Sequence, residues 1–187
     1  YLLGGYVVEK DYSLGTIDLL IILSLLIGFI IQSSAEEYVF RGWLMARLSE
    51  RYGTIVGVLG NTVLFSLLHI TSDTLHDDWI MNVIFIAALS LFSIFLSLYV
   101  IREKSIWGAC AWHASWNAIF ITCYGLPTTG IGIGIKPLLV DLMAAENTPL
   151  WLHGGSAGPE DSVFSSVVLV IGCLGVLMWG KRKAELQ

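Results

Sequence analysis

The chain has 187 residues, of which 56% are hydrophobic and 13% are charged, and its mean hydropathy is +0.76. Because soluble domains are about one quarter charged, this composition excludes an ordinary water-soluble domain and indicates an integral membrane protein. The formal net charge is −5, and no basic cluster exceeds the KRK run at 181–183. A nucleic-acid partner is therefore excluded.

Apolar segments that approach the length needed to cross a bilayer, about 20 residues as a helix, follow one another along the chain. Residues 1–16 are predicted to form the end of a loop. The apolar spans after it cover residues 17–34 continuing into 35–50, then 54–70, 79–100, 106–124 and 162–180. The predicted fold class is all-α, a polytopic transmembrane bundle with five to six membrane helices in one domain, residues 1–187. Because the chain begins with Tyr1 rather than methionine, further helices are expected upstream.

The connections between the spans alternate in charge, and Lys and Arg mark the cytoplasmic side of membrane proteins. The basic connections and tail carry Arg47, Arg51, Arg102, Lys104 and the 181–183 run, and the acidic ones carry Asp73, Asp77, Asp78, Asp141, Glu146, Glu160 and Asp161. This pattern predicts five crossings with a cytoplasmic C-terminus. In the long 125–161 connection, KPLLVDLMAAE is predicted to be a short interfacial helix, since long structureless loops are uncommon.

The stretch SSAEEYVFRGWLMARL places Glu36, Glu37 and Arg41 where hydropathy predicts lipid. An ionisable residue at the centre of a membrane helix costs about 2.5 to 3.5 kcal/mol on insertion scales, so such residues usually face the bundle interior. Glu37 and Arg41 are spaced i, i+4 and can pair on one helix face. Glu36 points about 100° away and lacks that partner. The alternative is a structural ion pair beside a glutamate that reaches the interface.

Two further apolar spans carry polar residues. FSLLH places His69 one turn after Phe65, and HASWN places His113 and Asn117 on one helix face. With a rise of about 1.5 Å per residue, Glu36, His113 and Asn117 lie at compatible depths, whereas His69 lies about 6 Å further outward. Its helix must tilt or begin lower, or its side chain must reach inward. For each histidine the alternative is an interhelical hydrogen bond.

This polar set suits water-mediated amide hydrolysis. A carboxylate can act as general base towards water, and an imidazole and an amide one turn apart offer N–H donors for a tetrahedral oxyanion. Glu36, His69 and His113 could alternatively supply three zinc ligands. The HExxH spacing that would make zinc the default is missing.

EExxxR at 36–41, FxxxH at 65–69 and HxxxN at 113–117 occur in this order on successive membrane helices, and the set resembles the CPBP family of intramembrane proteases. That family comprises the CAAX prenyl endopeptidases and the bacterial Abi-type proteins. GGSAGPE at 154–160 is similar to a stretch that precedes the last helix of many bacterial members. The resemblance therefore implies a bacterial enzyme in the plasma membrane.

The resemblance implies a role for each matched residue. Glu36 would activate the attacking water, and His69 would hold and polarise that water. Glu37 would support the site electrostatically, and His113 and Asn117 would form the oxyanion hole.

Further expectations concern supporting residues, cofactors and partners. Arg41 would assist the carboxylates, and Phe65 is expected to pack beneath the site. No metal or other cofactor is expected, with zinc as the alternative. The expected partners are a membrane-associated peptide or protein substrate and the lipid bilayer, and the oligomeric state stays open.

The sequence leaves two other functions open. One is a non-proteolytic scaffold or bacteriocin-immunity protein that binds a partner with the same fold, and the other is a proton-coupled transporter with Glu36 as its relay. Outside the motifs, His76 is expected to be solvated, and Glu160 to be an ordinary residue of a glycine-rich turn. The three cysteines are expected to act as small buried hydrophobic residues.

Overall fold

The computed structural model describes residues 5–9, 12–71 and 74–185, with side chains as far as residue 179. Its helices are α1 (Thr16–Glu37), a π-helical segment (Tyr38–Leu44), α2 (Met45–Tyr52), α3 (Thr54–Leu68), α4 (Trp79–Glu103), α5 (Trp107–Ala118) with a π-helical end (Ile119–Cys123), α6 (Leu150–His153) and α7 (Val163–Glu185). Tyr1, Asp73 and the side chains of the 181–183 run, which entered the sequence-based expectations, lie outside the described residues.

The architecture agrees with the predicted all-α membrane bundle. Within the described residues, Thr16–Tyr52 and Trp79–Glu103 are long and apolar enough to cross a membrane, while Thr54–Leu68 and Val163–Trp179 are shorter apolar helices. Residues 16–52 form one uninterrupted helical run because α1, the π-helical segment and α2 follow without a break. The predicted number of five crossings stays a prediction.

Helix α4 lies at the centre of the packing. It packs against α7, α3 and α5, while α1 packs mainly against α5 and α2 against α3. Phenylalanines supply much of the core: Phe85, Phe92 and Phe95 on α4 belong to one buried cluster with Phe65 of α3, and the Phe65 and Phe92 rings pack on each other. The bundle thus brings together α1, α3 and α5, the three helices that carry the polar motifs.

The predicted interfacial helix at 136–146 is wrong. Leu142–Ala144 forms strand β2, which pairs in antiparallel fashion with strand β1, Tyr6–Val8, in the region predicted to be loop. The N–H groups of residues 138–140 donate to the carbonyl groups that end the π-helical turn after α5. Because these backbone donors satisfy orphan carbonyls at a helix end, they are not free to begin a new helix.

The turn predicted at 154–160 is present, and it is seated against the segment that follows α5. Gly158 has a φ of +105°, and a Cβ there would lie 2.1 Å from the carbonyl oxygen of Pro127. Only glycine allows this backbone conformation together with so close an approach. The turn is therefore packed on residues 127–130, where Gly130 N–H donates to the Ala157 carbonyl over 3.0 Å.

Candidate active site

The adjacent glutamates lie on the last turn of α1, directly before the π-helical segment. The Glu37 side chain is fully buried, whereas that of Glu36 is 29% exposed and lines a cavity. Single turns of π-helix are frequent at functional sites in α-helices. The two carboxylates thus occupy different environments although they are neighbours in the sequence.

Glu37 and Arg41 form the ion pair predicted from their spacing. Arg41 Nη1 donates to Glu37 Oε1 over 2.8 Å, and both side chains are completely buried. Arg41 Nη2 donates to the carbonyl of Ser93 on α4, and the guanidinium lies 4.4 Å from the centre of the Phe65 ring. Because a buried charge without a partner is strongly destabilising, these contacts hold the pair rigidly in the bundle.

His113 on α5 contacts both glutamates. Its Nδ1 lies 2.8 Å from Glu37 Oε1, and its Nε2 lies 3.8 Å from Glu36 Oε2. Since the carboxylate of Glu37 accepts, Nδ1 carries the proton and Nε2 is the nitrogen that faces Glu36. The Phe92 ring packs edge-on against the imidazole at a centroid distance of 5.2 Å and fixes its plane.

His69 reaches the level of Glu36, which the sequence left open. It caps the C-terminal end of α3, its Nδ1 donates to the carbonyl of Phe65 over 2.8 Å, and its Nε2 lies 3.8 Å from Glu36 Oε2. Side chains on a helix lean towards its N-terminus. With α1 and α3 running in opposite directions, as the predicted topology has them, the Glu36 and His69 side chains lean towards each other and close the expected gap of about 6 Å.

Gln32 is a site residue that the sequence analysis missed. Arg41 pairs with Glu37 and not with Glu36, as expected, and Gln32 supplies Glu36 with a hydrogen-bond donor. Its Nε2 donates to Glu36 Oε1, and its Oε1 accepts from Asn117 Nδ2 over 3.3 Å. Gln32 stands one turn before Glu36 in an otherwise apolar run, which was the available signal. It links Glu36 to Asn117, so these two side chains are positioned together.

Three atoms with lone pairs therefore face one point. They are Glu36 Oε2, for which the described residues supply no hydrogen-bond donor, and the two imidazole Nε2 atoms at 3.8 Å from it. At that separation, one water at a hydrogen-bond distance of about 2.8 Å can contact the carboxylate and a histidine together. The arrangement can hold and deprotonate a water.

The same three atoms are of the types that bind zinc, but the distances between them are longer than those between zinc ligands. Each imidazole donates its other N–H to an oxygen, as zinc-bound histidines do. Neighbouring ligands of tetrahedral zinc lie about 3.4 Å apart, shorter than the 3.8 Å measured between Glu36 and each histidine. Across residues 5–9, 12–71 and 74–179, no three His, Cys, Asp or Glu side chains are grouped closely enough for a metal site.

A cavity of about 760 Å³ opens beside these residues. Its polar wall carries Gln32, Glu36, His69, His113 and Asn117, and its apolar walls carry Leu25, Phe29, Ile121, Ile131 and Ile133. This volume lies in the range of about 300 to 1,000 Å³ typical of ligand pockets. The site can therefore accept a polar reacting group next to an apolar one.

Glu160 is not the ordinary turn residue expected from the sequence. It is buried, and its carboxylate accepts from Trp116 Nε1 over 3.1 Å and from the hydroxyl groups of Thr128 and Thr129 over 2.8 and 2.6 Å. The Thr129 N–H donates to it as well. Because both threonines line the cavity, Glu160 fixes one cavity wall to α5.

His76 and Asp161 form a second buried pair outside the cavity. The His76 side chain is only 8% exposed and its Nε2 lies 3.9 Å from Asp161 Oδ2, so the expectation of a solvated histidine is wrong. Burial, together with the neighbouring carboxylate of Glu160, raises the pKa of Asp161 to about 8. Sequence reasoning placed both residues in exposed loops because it had no measure of how the loops pack on one another.

Comparison with models of protein families matches residues 18–119 to the Type II CAAX prenyl endopeptidase Rce1-like family. The matched region covers more than half of the chain and runs from the first turn of α1 to the end of α5, including all three motifs. It confirms the resemblance drawn from those motifs. No curated protein and no solved structure gives a significant match.

Proposed function

The chain belongs to the Rce1-like family of type II CAAX prenyl endopeptidases, and on that premise we propose that it hydrolyses a peptide bond of a membrane-associated peptide or protein with Glu36 as general base. The family is one of membrane-embedded proteases. The observation that carries the residue assignment is the convergence of Glu36, His69 and His113 on one point of the cavity wall.

The proposed first step is attack by water. Glu36 Oε2 takes one proton as the water oxygen bonds to the carbonyl carbon of the scissile peptide, while the other O–H of the water donates a hydrogen bond to His69 Nε2 and is oriented by it. The same carboxyl then returns its proton to the leaving amine as the C–N bond breaks. Gln32 supports this assignment because it holds one Glu36 oxygen and leaves the other directed at the histidines.

The proposed oxyanion hole consists of His113 Nε2 and the second amide hydrogen of Asn117. Since His113 Nδ1 already donates to Glu37, Nε2 can donate only when the ring carries both protons. The hydrogen bond from Nδ1 to Glu37 holds the ring with Nε2 towards Glu36. Glu37 would thus act through His113, and Arg41 would hold Glu37 in place.

We propose that no metal takes part, with zinc bound by Glu36, His69 and His113 as the alternative. The wide spacing of these ligands supports the metal-free mechanism. Activity that survives 1,10-phenanthroline is the expected result. Inactivation by this chelator with recovery on addition of zinc would establish the alternative.

The substrate is proposed to be a peptide or protein of the membrane, because the cavity offers apolar walls beside the polar set. The family description names prenylated CAAX ends, which the apolar walls could accept, while GGSAGPE favours a bacterial precursor. The proposed location is the bacterial plasma membrane with the C-terminus in the cytoplasm.

The test compares membranes that carry the intact protein with membranes that carry Glu36→Gln. A precursor protein should accumulate with Glu36→Gln, and its cleavage by the purified variant should be about 10²- to 10⁴-fold slower. Glu50→Gln serves as control because Glu50 is exposed on α2, where it pairs with Arg47. Full cleavage by Glu36→Gln would refute the assignment, and a bound partner without any cleavage product would favour the scaffold.

A further inference from the structure

One cavity wall is formed by part of residues 128–135, with the sequence TTGIGIGI. Ile131 and Ile133 line the cavity, whereas Gly132 between them does not. Alternation of this kind is the spacing of an extended chain, in which successive side chains point to opposite faces. Thr129 and Gly130 form a turn with positive φ, so only residues 131–135, which follow it, fit an extended chain along the cavity; they are called the strand below.

The strand is held at both ends. At one end, Thr128 and Ile131 exchange backbone hydrogen bonds of 3.1 and 2.9 Å, and Glu160 binds Thr128 and Thr129. At the other end, Pro137 is buried and the N–H of Leu138 donates to the Thr122 carbonyl over 2.6 Å. Both anchors belong to the bundle, so the strand is fixed before any substrate arrives.

Between these anchors the backbone groups are unused. Among the hydrogen bonds of the described residues, none involves the N–H or C=O of residues 132–135. In an extended chain the backbone groups of adjacent residues point to opposite edges. The N–H and C=O groups of Ile131 point to the edge that Thr128 occupies. Those of Gly132 and Gly134 therefore point to the opposite edge, which is open.

Nothing inside the protein requires glycine at 132 or 134. Neither residue has a positive φ, a Cβ on Gly134 would meet no atom within 4 Å, and a Cβ on Gly132 would meet only Pro127 at 3.9 Å. Gly158, in contrast, is required by a close contact. The missing side chains leave the backbone of this edge approachable by another chain.

A protease substrate needs such an edge. Around a scissile bond the peptide must be extended, so its backbone groups lose helical partners, and in a cavity with apolar walls they also lose water. When the substrate pairs with a strand of the protein, main-chain hydrogen bonds give these backbone groups new partners. On the basis of the proposed function, we propose that the substrate binds as an extended strand paired with Gly132 and Gly134, its scissile carbonyl next to His113 and Asn117.

The experiment uses matched variants of Gly134 in the Glu36→Gln background, so that binding is measured without cleavage. The probe is a fluorescent, farnesylated peptide ending in a Cys-aliphatic-aliphatic-Met sequence, and its Kd is measured by fluorescence anisotropy in detergent. Gly134→Pro removes the N–H on the open edge and should raise Kd about 5- to 10-fold, the effect of one hydrogen bond. Gly134→Ala keeps the N–H and has room for its Cβ, so its Kd should stay within about 2-fold.

Equal Kd values for Gly134→Pro and Gly134→Ala, or no binding of the probe at all, would overturn the strand pairing. A second readout does not depend on how the proline variant folds. A photo-crosslinking residue in place of Ile133, which lines the cavity, should capture the probe. The same residue in place of the exposed Leu139 should not. Failure of the proposed function is recognised separately, as cleavage that persists with Glu36→Gln. Strand pairing would then still be decided by the binding data.

Discussion

The buried pair of Glu37 and Arg41 gives the sharpest prediction, because its two partners have separable effects. Arg41→Met removes the guanidinium from a site where both side chains are fully buried. Glu37 then keeps a buried negative charge with His113 as its remaining partner. Leaving such a charge without its counter-ion costs about 3 to 5 kcal/mol, so Arg41→Met should lower the free energy of unfolding by that amount.

The double variant Glu37→Gln, Arg41→Met removes both charges and keeps an acceptor for His113 Nδ1. It should be about 2 to 4 kcal/mol more stable than Arg41→Met alone, because the uncompensated charge is gone. The free energy of unfolding is measured by titration with sodium dodecyl sulfate in mixed micelles. A double variant as unstable as the sum of its single variants would refute this reasoning.

Catalysis should not recover with stability in this double variant. The neutral amide introduced by Glu37→Gln accepts a weaker hydrogen bond from His113 Nδ1 than the carboxylate does, so the proposed oxyanion donor is held less firmly and kcat should fall about 10²- to 10³-fold. Cleavage of the accumulated precursor by the folded double variant measures this effect. Full activity in a stable double variant would show that Glu37 has no part in the function of His113.

Three further predictions concern residues outside the motifs. Because the pKa of Asp161 is raised from 3.8 to about 8, its contribution to stability is present below about pH 4 and is lost as the pH rises through about 8. Asp161→Asn should therefore flatten the fall of Tm between pH 5 and 9, and parallel Tm curves would contradict this. Gln32→Leu should lower kcat/KM about 10-fold with little change in Tm, since it frees Glu36 and Asn117 from one hydrogen bond each. Ile30→Leu, at an exposed position of the same helix, should keep full activity. Glu160→Gln, which loses a buried charged acceptor, should lower the free energy of unfolding by about 1 to 3 kcal/mol and change the fluorescence of Trp116; an unchanged value would argue against its anchoring role.

The motif residues and the bundle could be predicted because their signals are local. Placing a charged or polar side chain in lipid costs free energy, so Glu37, Arg41 and His113 within apolar helices indicate a polar interior of the bundle. The i, i+4 spacing of Glu37 and Arg41 also predicted their ion pair, which the structure contains. Depth along a helix could be estimated from the rise per residue, but the meeting of Glu36 with His69 depends on side-chain direction and on the packing of two helices.

The loop residues could not be predicted because their environment is set by distant parts of the chain. Glu160 is buried by residues 31 to 44 positions away in sequence, and His76 by Asp161. The strand at Leu142–Ala144 likewise depends on a partner near the start of the chain. Local composition favoured a helix there, and the nonlocal pairing and the carbonyl groups at the end of α5 overrode it.

The number of residues in the π-helical segment after the glutamates determines the direction in which Glu36 points. Residues before and after it belong to one helical run, and each residue turns a helix by about 100°. Deletion of one exposed residue such as Val39 would let Tyr38–Leu44 wind as an ordinary α-helix. It would rotate α1 relative to the α2–α3 hairpin by about that angle and turn Glu36 away from the cavity, with every motif residue still present.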